Sequence, residues 1–258
     1  MATSDAAELD DKEYVMGLEK GLSIIEAFGL QKSPMTLTQI AEITGHSKAS
    51  VRRCLLTLSR LGYARLDGRN FTLEPRSLRL GHAYLSSIQL TRVAQPILEL
   101  VSERVQESAS LAVLDSQDIV FVARAVLRES LAFGLSVGSR LPAYCSATGR
   151  ILLAEKPRDE VEFMLNRMSR PALTPKTQTR VPKIMREIEA ARAKGFCQID
   201  EELQVGNRSI AVPIRTGQGK LVASMSLSVA SSRMSLKDMV DKLLPELEAG
   251  RRAFAALI

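Results

Sequence analysis

The chain has few of the residues that most metal sites and nucleophilic active sites use. It contains two histidines, His46 and His82, and three cysteines, Cys54, Cys145 and Cys197, in 258 residues. The cysteines are far apart and show no CxxC spacing, which argues against a disulfide framework and against a zinc cluster. Because no histidine lies beyond residue 82, a histidine-based site in the larger C-terminal portion is excluded. We expect a reducing compartment, no metal and no cofactor.

The sequence also lacks an apolar run of about 18 residues, the length that a membrane-spanning helix needs. Residues 1–14 carry five acidic side chains and one lysine, and they show no signal-peptide core. We expect this segment to be a mobile acidic tail. With 45% hydrophobic and 25% charged residues, the chain as a whole has the composition of an ordinary soluble protein of two domains. The expected location is the cytoplasm.

The excess positive charge is confined to one segment of the chain. Residues 48–79 contain eight lysine and arginine side chains and two acidic ones, a net charge of +6, which equals the net charge of the whole chain. The remaining residues therefore sum to zero. A basic patch of this kind is the electrostatic footprint of a surface that binds nucleic acid.

Residues 36–74 show the pattern of a winged helix-turn-helix. Thr36 and Ser47 can each cap a helix, because a hydroxyl oxygen accepts from the free N–H groups of the first turn, and Gly45 can close the first helix. Asp67-Gly68 favours a two-residue hairpin turn after the second helix. The apolar residues of the second helix recur on one face, which should pack on a core; they are Val51, Cys54, Leu55, Leu58 and Leu61.

The polar side of the second predicted helix carries the candidate DNA contacts. Arginine can bridge the O6 and N7 acceptors of guanine, whereas lysine and serine suit phosphates equally well. Cations beside the hairpin turn can lie along the phosphate backbone. The alternative is a basic helix face that is exposed to solvent and binds nothing. The helix before it and the hairpin after it argue against that alternative. The predicted DNA-binding residues are Thr36, Ser47, Lys48, Ala49, Ser50, Arg52, Arg53, Arg65 and Arg69.

One further helix is predicted before this motif, beginning at Gly17 and ending at a Gly29 cap. Its apolar residues recur at spacings of four, three and three, which places them on one face. That predicted buried stripe consists of Leu18, Leu22, Ile25 and Phe28.

Beyond residue 90 the pattern changes to alternating helices and strands. Helices are predicted over residues 92–106, with Pro96 in the first turn, over 145–156 and 181–194, and from 235 onward. The predicted strands are 110–114, 119–126, 131–137, 196–200, 208–215 and 221–229. The resulting domains are the tail (1–14), a winged helix-turn-helix domain (15–75, with its helix-turn-helix core at 36–61 and its wing at 62–74), a linker helix (76–91) and a second domain (92–258).

Four segments resemble the IclR family of bacterial transcriptional regulators. They are LEKGLSIIEAF, LTQIAEITGHSKASVRRCLLTLSRLGYA, RLPAYCSATGRILLA and IDEELQVGNRSIAVPIRTGQGKLVASMSLSVASSR, in this order. Two stretches, RLPAYCSATGRILLA and GFCQIDEELQVGNRSIAVPI, further resemble the branch that includes the PcaR, PcaU and PobR regulators of aromatic catabolism through the β-ketoadipate pathway.

The resemblance implies an α+β protein with an N-terminal winged helix-turn-helix and a C-terminal effector-binding domain. That domain would contain a curved antiparallel sheet flanked by helices, in a GAF-like arrangement. The implied effector is a small organic acid, either an aromatic acid or a dicarboxylate like β-ketoadipate. The implied partners are a double-stranded DNA operator, the acid, and further copies of the chain in a dimer or a dimer of dimers, with helix 1 and the linker at the subunit contact. No membrane partner is implied.

The pocket positions that the resemblance implies begin at the SATGR segment and continue on the late strands. They are Ala147, Thr148, Asn207, Ser209, Ser226 and Ser228. We add Arg140, Tyr144, Cys145 and Arg208 as further candidates. A position that is acidic in the best-known members is Ile199 here. Four cations could pair with a second carboxylate; they are Arg124, Arg140, Arg150 and Arg208.

Two alternative functions are considered. A cysteine hydrolase could use Cys145, which begins a predicted helix where a thiolate would be stabilised, but the second domain lacks the histidine base. A DNA-binding architectural protein without a ligand would leave residues 92–258 without a stated purpose. The expectation is a regulator and not an enzyme.

Overall fold

The computed structural model describes residues 13–31, 34–126 and 135–258. The chain divides into two compact units, Met1–Ala83 and Tyr84–Ile258, which we call the N-terminal and C-terminal units. The division falls inside the segment predicted as a linker helix. Of the predicted mobile tail, residues 1–12 lie outside the described residues.

The N-terminal unit is a winged helix-turn-helix. Its three helices are α1 (Met16–Leu30), α2 (Leu37–Thr44) and α3 (Lys48–Arg60), and its strands are β1 (Met35–Thr36), β2 (Ala64–Asp67) and β3 (Asn70–Leu73). The strands form a small antiparallel sheet in the order β1-β3-β2. A short 3₁₀ turn at Pro75–Ser77 leads into α4 (Leu78–Ser87), which crosses the boundary between the units.

Both predicted helix caps of the motif are confirmed. The Thr36 hydroxyl accepts from the Gln39 amide, and the Gln39 side chain accepts from the Thr36 amide, which together form a capping box. Gly45 ends α2 with a φ of 70°, in the left-handed region that favours glycine. The Ser47 hydroxyl accepts from the Ser50 amide and so caps α3.

The predicted buried stripe of α1 is wrong in part. Leu18 and Leu22 are 62% and 46% exposed, and the helix ends at Leu30 instead of Gly29. Apolar residues occupy more than one side of this helix, so spacing alone does not tell which side meets the core. Leu61 is also exposed, because α3 ends one residue before it. The residues of α1 that are buried are Ile24, Ala27 and Phe28.

The C-terminal unit consists of one six-stranded sheet with helices on both faces. The sheet is antiparallel and curved, in the order β6-β5-β4-β9-β8-β7. The strands are β4 (Ser108–Asp115), β5 (Asp118–Ala125), β6 (Arg140–Pro142), β7 (Cys197–Asp200), β8 (Asn207–Arg215) and β9 (Leu221–Ala230). The helices after α4 are α5 (Gln89–Val105), α6 (Ala147–Leu153), α7 (Arg158–Arg167), α8 (Val181–Lys194), α9 (Leu236–Lys242) and α10 (Leu244–Ala255).

The two faces of this sheet bury different side chains. One face packs against α5, α9 and α10 through residues such as Leu111, Met225 and Leu227, all fully buried. The other face packs against α6. Because neighbouring residues of a strand point to opposite faces, the residues between these apolar ones face α6. That second face carries the candidate ligand cavity.

Two predicted elements of this unit need correction, and one helix was not predicted. Helix α5 begins at Gln89, so Pro96 lies inside the helix and not in its first turn, where its missing N–H costs one helical hydrogen bond. The predicted strand 131–137 lies partly outside the described residues, since these resume at residue 135. The strand that pairs with β5 on the side away from β4 is β6. Helix α7 was not predicted. By contrast, α8 and its left-handed Gly195 cap match the prediction.

Candidate nucleic-acid interface and ligand cavity

The exposed face of α3 carries three cations in its first two turns. Lys48, Arg52 and Arg53 are all exposed, and within the described ranges none of them forms an ion pair. Ala49 is exposed beside them. Side chains at the start of a helix that follows a tight turn are the ones that reach base edges and phosphates in helix-turn-helix proteins. This face is our candidate nucleic-acid interface.

Ser50 does not belong to that face. It is only 9% exposed, because it lies four residues before Cys54 and shares its side of α3. That side faces α1, where Ser50 and Cys54 line a groove together with Gly21, and the exposed Arg53 also lines this groove. Thr36 and Ser47 lie at the starts of α2 and α3, with their hydroxyls engaged in the two caps.

The wing is the β2–β3 hairpin, whose two-residue turn is Gly68-Arg69, one residue later than predicted, because Asp67 still pairs with Asn70. Arg65 and Arg69 are both exposed on it, but their surroundings differ. The Arg65 Nε atom lies 2.9 Å from a carboxylate oxygen of Glu74, whereas Arg69 has no ion pair in the described part of the chain. Of the two, Arg69 is therefore the cation that is free to neutralise a phosphate.

Substitution of Arg69 is expected to weaken binding to all DNA sequences alike. Loss of one phosphate contact should lower the slope of log affinity against log salt concentration by about 0.9. Arg65→Ala should have a smaller effect, because Arg65 must give up Glu74 to reach a phosphate. Fluorescence anisotropy with specific and random duplexes between 50 and 200 mM salt would measure both. An unchanged slope for Arg69→Ala would count against phosphate contact by the wing.

A cavity of about 50 Å³ lies between the second face of the C-terminal sheet and the start of α6. We call it the serine cavity. Six of the ten predicted effector-binding residues line it: Ala147 and Thr148 on α6, Asn207 and Ser209 on β8, and Ser226 and Ser228 on β9. Its apolar walls include Ile119, Phe121, Leu135, Leu141, Ile199 and Leu203.

Strand register explains why hydroxyl groups gather on this face. Ser226 pairs with Ser110 of β4, and Ser228 pairs with Ser209 of β8. The residue between them, Leu227, points to the opposite face and is fully buried there. Ser110 also lines the cavity, yet the sequence did not single it out. The serine alternation in SASLAVL was a local signal, but only the pairing with β9 shows where those serines lie.

The start of α6 is held by a close backbone contact. The Ser146 hydroxyl accepts from the Gly149 amide at 3.1 Å and caps the helix. A Cβ atom at residue 149 would lie 2.3 Å from the Ala143 carbonyl oxygen, so only glycine fits there. This contact fixes Ala147 and Thr148 at the edge of the cavity.

The other four predicted effector residues do not line the serine cavity. Arg140 pairs with Asp115 and Asp118 at the exposed edge of the sheet. The Arg208 Nε atom donates to Asp200 at 2.6 Å, and its Nη1 donates to two backbone carbonyls. The Tyr144 hydroxyl donates to the Pro171 carbonyl, and Cys145 is buried beside it.

Cys145 lacks the properties of a cysteine nucleophile. Burial raises the pKa of its thiol to about 11, so the group keeps its proton at neutral pH, whereas the nucleophile must be a thiolate. Both histidines precede residue 84, so the C-terminal unit contains no histidine to act as base. This arrangement opposes the cysteine-hydrolase alternative.

The serine cavity is also lined by a cation, Arg124. Its guanidinium carbon lies 4.8 Å from the centre of the Phe121 ring, and both residues line the cavity. Its Nε and Nη1 atoms are buried and have no hydrogen-bond partner among the residues that the structure describes. Burial lowers the pKa of this guanidinium. The sequence offered Arg124 only as one of four spare arginines, and the other three form ion pairs.

Two larger cavities have a different lining. One, of about 530 Å³, is the groove between α1 and α3, with the apolar side chains of Leu18, Leu22 and Ile25 on one wall. The other, of about 300 Å³, lies beside Arg150 and Glu202, whose charges already pair with each other. The first is an open groove in the DNA-binding unit, and the second is lined by the carboxylates Glu187, Asp200 and Glu202, so the smaller serine cavity is the better candidate for an acidic ligand.

We also compared the helices with the requirements of a membrane-spanning segment. Within residues 13–31, 34–126 and 135–258, none combines the length and the apolar character that a bilayer crossing requires.

Comparison with known proteins places both units in one family. The chain matches the IclR helix-turn-helix domain over residues 17–68 and the C-terminal domain of the bacterial transcriptional regulator IclR over residues 82–255. It is 41% identical over 243 residues to the Pca regulon regulatory protein of Pseudomonas putida, covering 94% of this chain and 84% of that protein. It is 35% identical to the p-hydroxybenzoate hydroxylase transcriptional activator of Acinetobacter baylyi, covering 93% and 90%.

A solved structure with a bound acid is also similar. It is a double mutant of the inducer-binding domain of the PobR transcription factor from Acinetobacter, in complex with 3-hydroxybenzoic acid. Its TM-score is 0.61 at 29% identity, and the alignment covers 65% of this chain and 98% of that one.

Proposed function

The chain belongs to the IclR family of bacterial transcriptional regulators, and from that premise we propose that α3 and the wing bind the operator while the serine cavity binds an organic acid. The protein is a DNA-binding regulator that responds to an effector. One observation carries the assignment of the site: a cavity lined by hydroxyl groups, apolar walls and one cation that forms no ion pair with the described residues. As a reader of chromosomal DNA, it would act in the cytoplasm.

We propose an aromatic acid as the effector, with a dicarboxylate like β-ketoadipate as the alternative. The relatives are named for the Pca regulon and for p-hydroxybenzoate hydroxylase, and the similar domain holds 3-hydroxybenzoic acid. The cavity chemistry agrees, since Phe121, Leu135 and Leu141 can contact a ring while the serine hydroxyls bind its polar substituents. Ile199 adds an uncharged wall and therefore does not repel an anion.

For DNA binding, we propose that some of the exposed cations contact bases and others contact phosphates. Arg52 and Arg53 would contact base edges, because a guanidinium group can donate two hydrogen bonds to guanine. Lys48 and Arg69 would contact phosphates, which fix register without selecting sequence. Ala49 would allow close approach to a base. Thr36 and Ser47 would act at the helix starts, where backbone amides also attract phosphate.

A second copy of the chain is the proposed partner of α1. Leu18 and Leu22 are large, exposed and one helical turn apart, and they line the open groove beside α3. Pairing through the exposed side of α1, and not through the α3 wall of the groove where Arg53 lies, would give the two-fold arrangement that a repeated half-site needs. Light scattering should give a mass of about two or four times 28.3 kDa, and Leu18→Asp should lower it; a monomeric wild type would contradict the proposal.

We propose that binding of the acid changes the affinity for the operator through thermodynamic linkage. An acid changes operator affinity only if it binds the DNA-competent and incompetent arrangements with different affinities, a coupling that is typically about 1–3 kcal/mol. By the same linkage, operator DNA must change the affinity for the acid by an equal factor.

A thermal-shift panel tests the effector site. The acids are 4-hydroxybenzoate, protocatechuate and β-ketoadipate. A ligand at 100 times its dissociation constant adds about 2.7 kcal/mol, which should raise the melting temperature by roughly 5–10 °C at this domain size. Ser226→Leu should remove the shift, because a leucine side chain fills the cavity, while the ligand-free protein still binds DNA.

Two further variants make that result interpretable. Ser232→Leu places the same side chain on an exposed turn and should respond like wild type. Ser226→Ala removes only the hydroxyl and should weaken binding without filling the cavity. A normal response of Ser226→Leu would place the pocket elsewhere, and no shift with any acid would require a different class of effector.

A further inference from the structure

We infer that Arg124 is the residue that binds the effector's carboxylate, and that the serine cavity selects acids over neutral analogues through this one cation. The inference rests on the proposed function, because it assumes that the serine cavity is the effector site. It adds a residue that determines ligand specificity. The sequence named four arginines that could pair with a carboxylate and gave no reason to prefer Arg124 among them.

The register of three strands places Arg124 beside the serines. Arg124 on β5 pairs with Ser110 on β4, and Ser110 pairs with Ser226 on β9. Residues paired in this way share one face of the sheet. A carboxylate held by the Arg124 guanidinium would therefore lie in the row of hydroxyls that Ser110 and Ser226 form, where it could accept from them as well.

Two of the three guanidinium nitrogens of Arg124 are buried without a compensating charge. Its Nε and Nη1 atoms have no partner in the described part of the chain, and no carboxylate among those residues forms an ion pair with it. The Gln95 side chain donates to the Arg124 backbone carbonyl and not to the guanidinium. An unpaired buried charge is unfavourable in the free protein, so a residue of this kind is retained where a ligand supplies the missing charge.

The orientation of Arg124 suits a planar acid. The Phe121 ring contacts the guanidinium at 4.8 Å, and such a contact restricts the group before any ligand arrives. A guanidinium presents parallel N–H groups that match the two oxygens of a carboxylate. The Phe121 ring also lines the cavity, so it can contact the aromatic ring of the same ligand.

The start of α6 does not supply this charge. The helix spans only seven residues, and its own Ser146 hydroxyl already accepts from the Gly149 amide. Arg140 and Arg208 are bound to Asp115, Asp118 and Asp200 outside the cavity. Arg124 is thus the cation that remains for the carboxylate among the residues lining the serine cavity.

The test compares each acid with its neutral amide by calorimetry on the full-length protein. The probes are 4-hydroxybenzoate, protocatechuate and adipate, with their primary amides. Arg124→Gln should bind the preferred acid about 10- to 100-fold more weakly, the loss of a charge-assisted hydrogen bond, and should bind the amide as wild type does. Arg124→Lys should restore part of the preference for the acid, because it restores the charge but not the fork geometry.

Stability of the ligand-free variant separates this role from a structural one. Because Arg124 forms no ion pair with the residues that the structure describes, Arg124→Gln should melt no lower than wild type without ligand. Arg186→Gln removes an exposed charge on α8 and should leave both binding and melting unchanged. Undiminished acid binding by Arg124→Gln would overturn the inference and leave the proposed function standing, as would a large loss of ligand-free stability. A wild type that binds none of the acids would overturn both.

Discussion

Arg53→Ala is expected to reduce specific operator affinity by about 100-fold or more while leaving acid binding intact. Arg53 is exposed in the first two turns of α3 and forms no ion pair within the described ranges. A bidentate arginine–guanine contact discriminates by about 1–3 kcal/mol. In a dimer the loss occurs at both half-sites, so the two penalties combine.

An operator for this experiment can be obtained by selection from random duplexes. Gel-shift or anisotropy titration would then compare wild type, Arg53→Ala and Arg60→Ala. Arg60 is the matched control, because it is an exposed arginine in the last turn of the same helix. The control should lose little specific affinity. Wild-type affinity in Arg53→Ala would refute the assignment of α3 as the recognition helix.

Arg150→Ala is expected to lower the free energy of unfolding by about 3–5 kcal/mol, the usual cost of leaving a buried charge without its partner. Arg150 is 2% exposed. Its two Nη atoms donate to both oxygens of Glu202 at 2.7 and 2.8 Å, and its Nε donates to the Tyr144 carbonyl at 2.9 Å. It also pairs with Glu187. The ion pair therefore joins α6, α8 and the segment after β7.

Urea unfolding, followed by circular dichroism, measures this effect. A loss of 3–5 kcal/mol corresponds to a fall in melting temperature of roughly 6–20 °C for a domain of this size. Arg158→Ala serves as control, because Arg158 forms a more exposed ion pair with Glu189, and such pairs contribute about 0–1 kcal/mol. Equal stability of the two variants would show that the buried pair does not hold α6 in place.

Sequence signals predicted the elements that are marked by local chemistry. The Thr36 and Ser47 caps and the Gly195 terminator act within a few residues, so the sequence showed where α2, α3 and α8 begin or end. The buried side of α1 was predicted less well, since its leucines are spaced as a core stripe but are exposed in the single chain. Which side of a helix is buried depends on the partners that pack against it.

The site residues likewise include some that the sequence indicated and some that only the strand pairing brings to the cavity. The resemblance pointed to serines on β9, but Ser110 and Arg124 lie on two other strands and reach the cavity only through pairing. Distinguishing Arg124 from Arg140 and Arg208 required knowledge of where Asp115, Asp118 and Asp200 lie, because those carboxylates pair with the other two arginines. Such contacts between distant residues cannot be derived from spacing along one segment.

Acid binding and operator binding should be thermodynamically coupled in this protein. The dissociation constant for the selected operator should be measured with and without a saturating concentration of the acid that gives the largest thermal shift. We expect it to change by about 5- to 150-fold in the wild type, and by less than twofold in Ser226→Leu. An operator affinity that is identical with and without the bound acid would contradict the account.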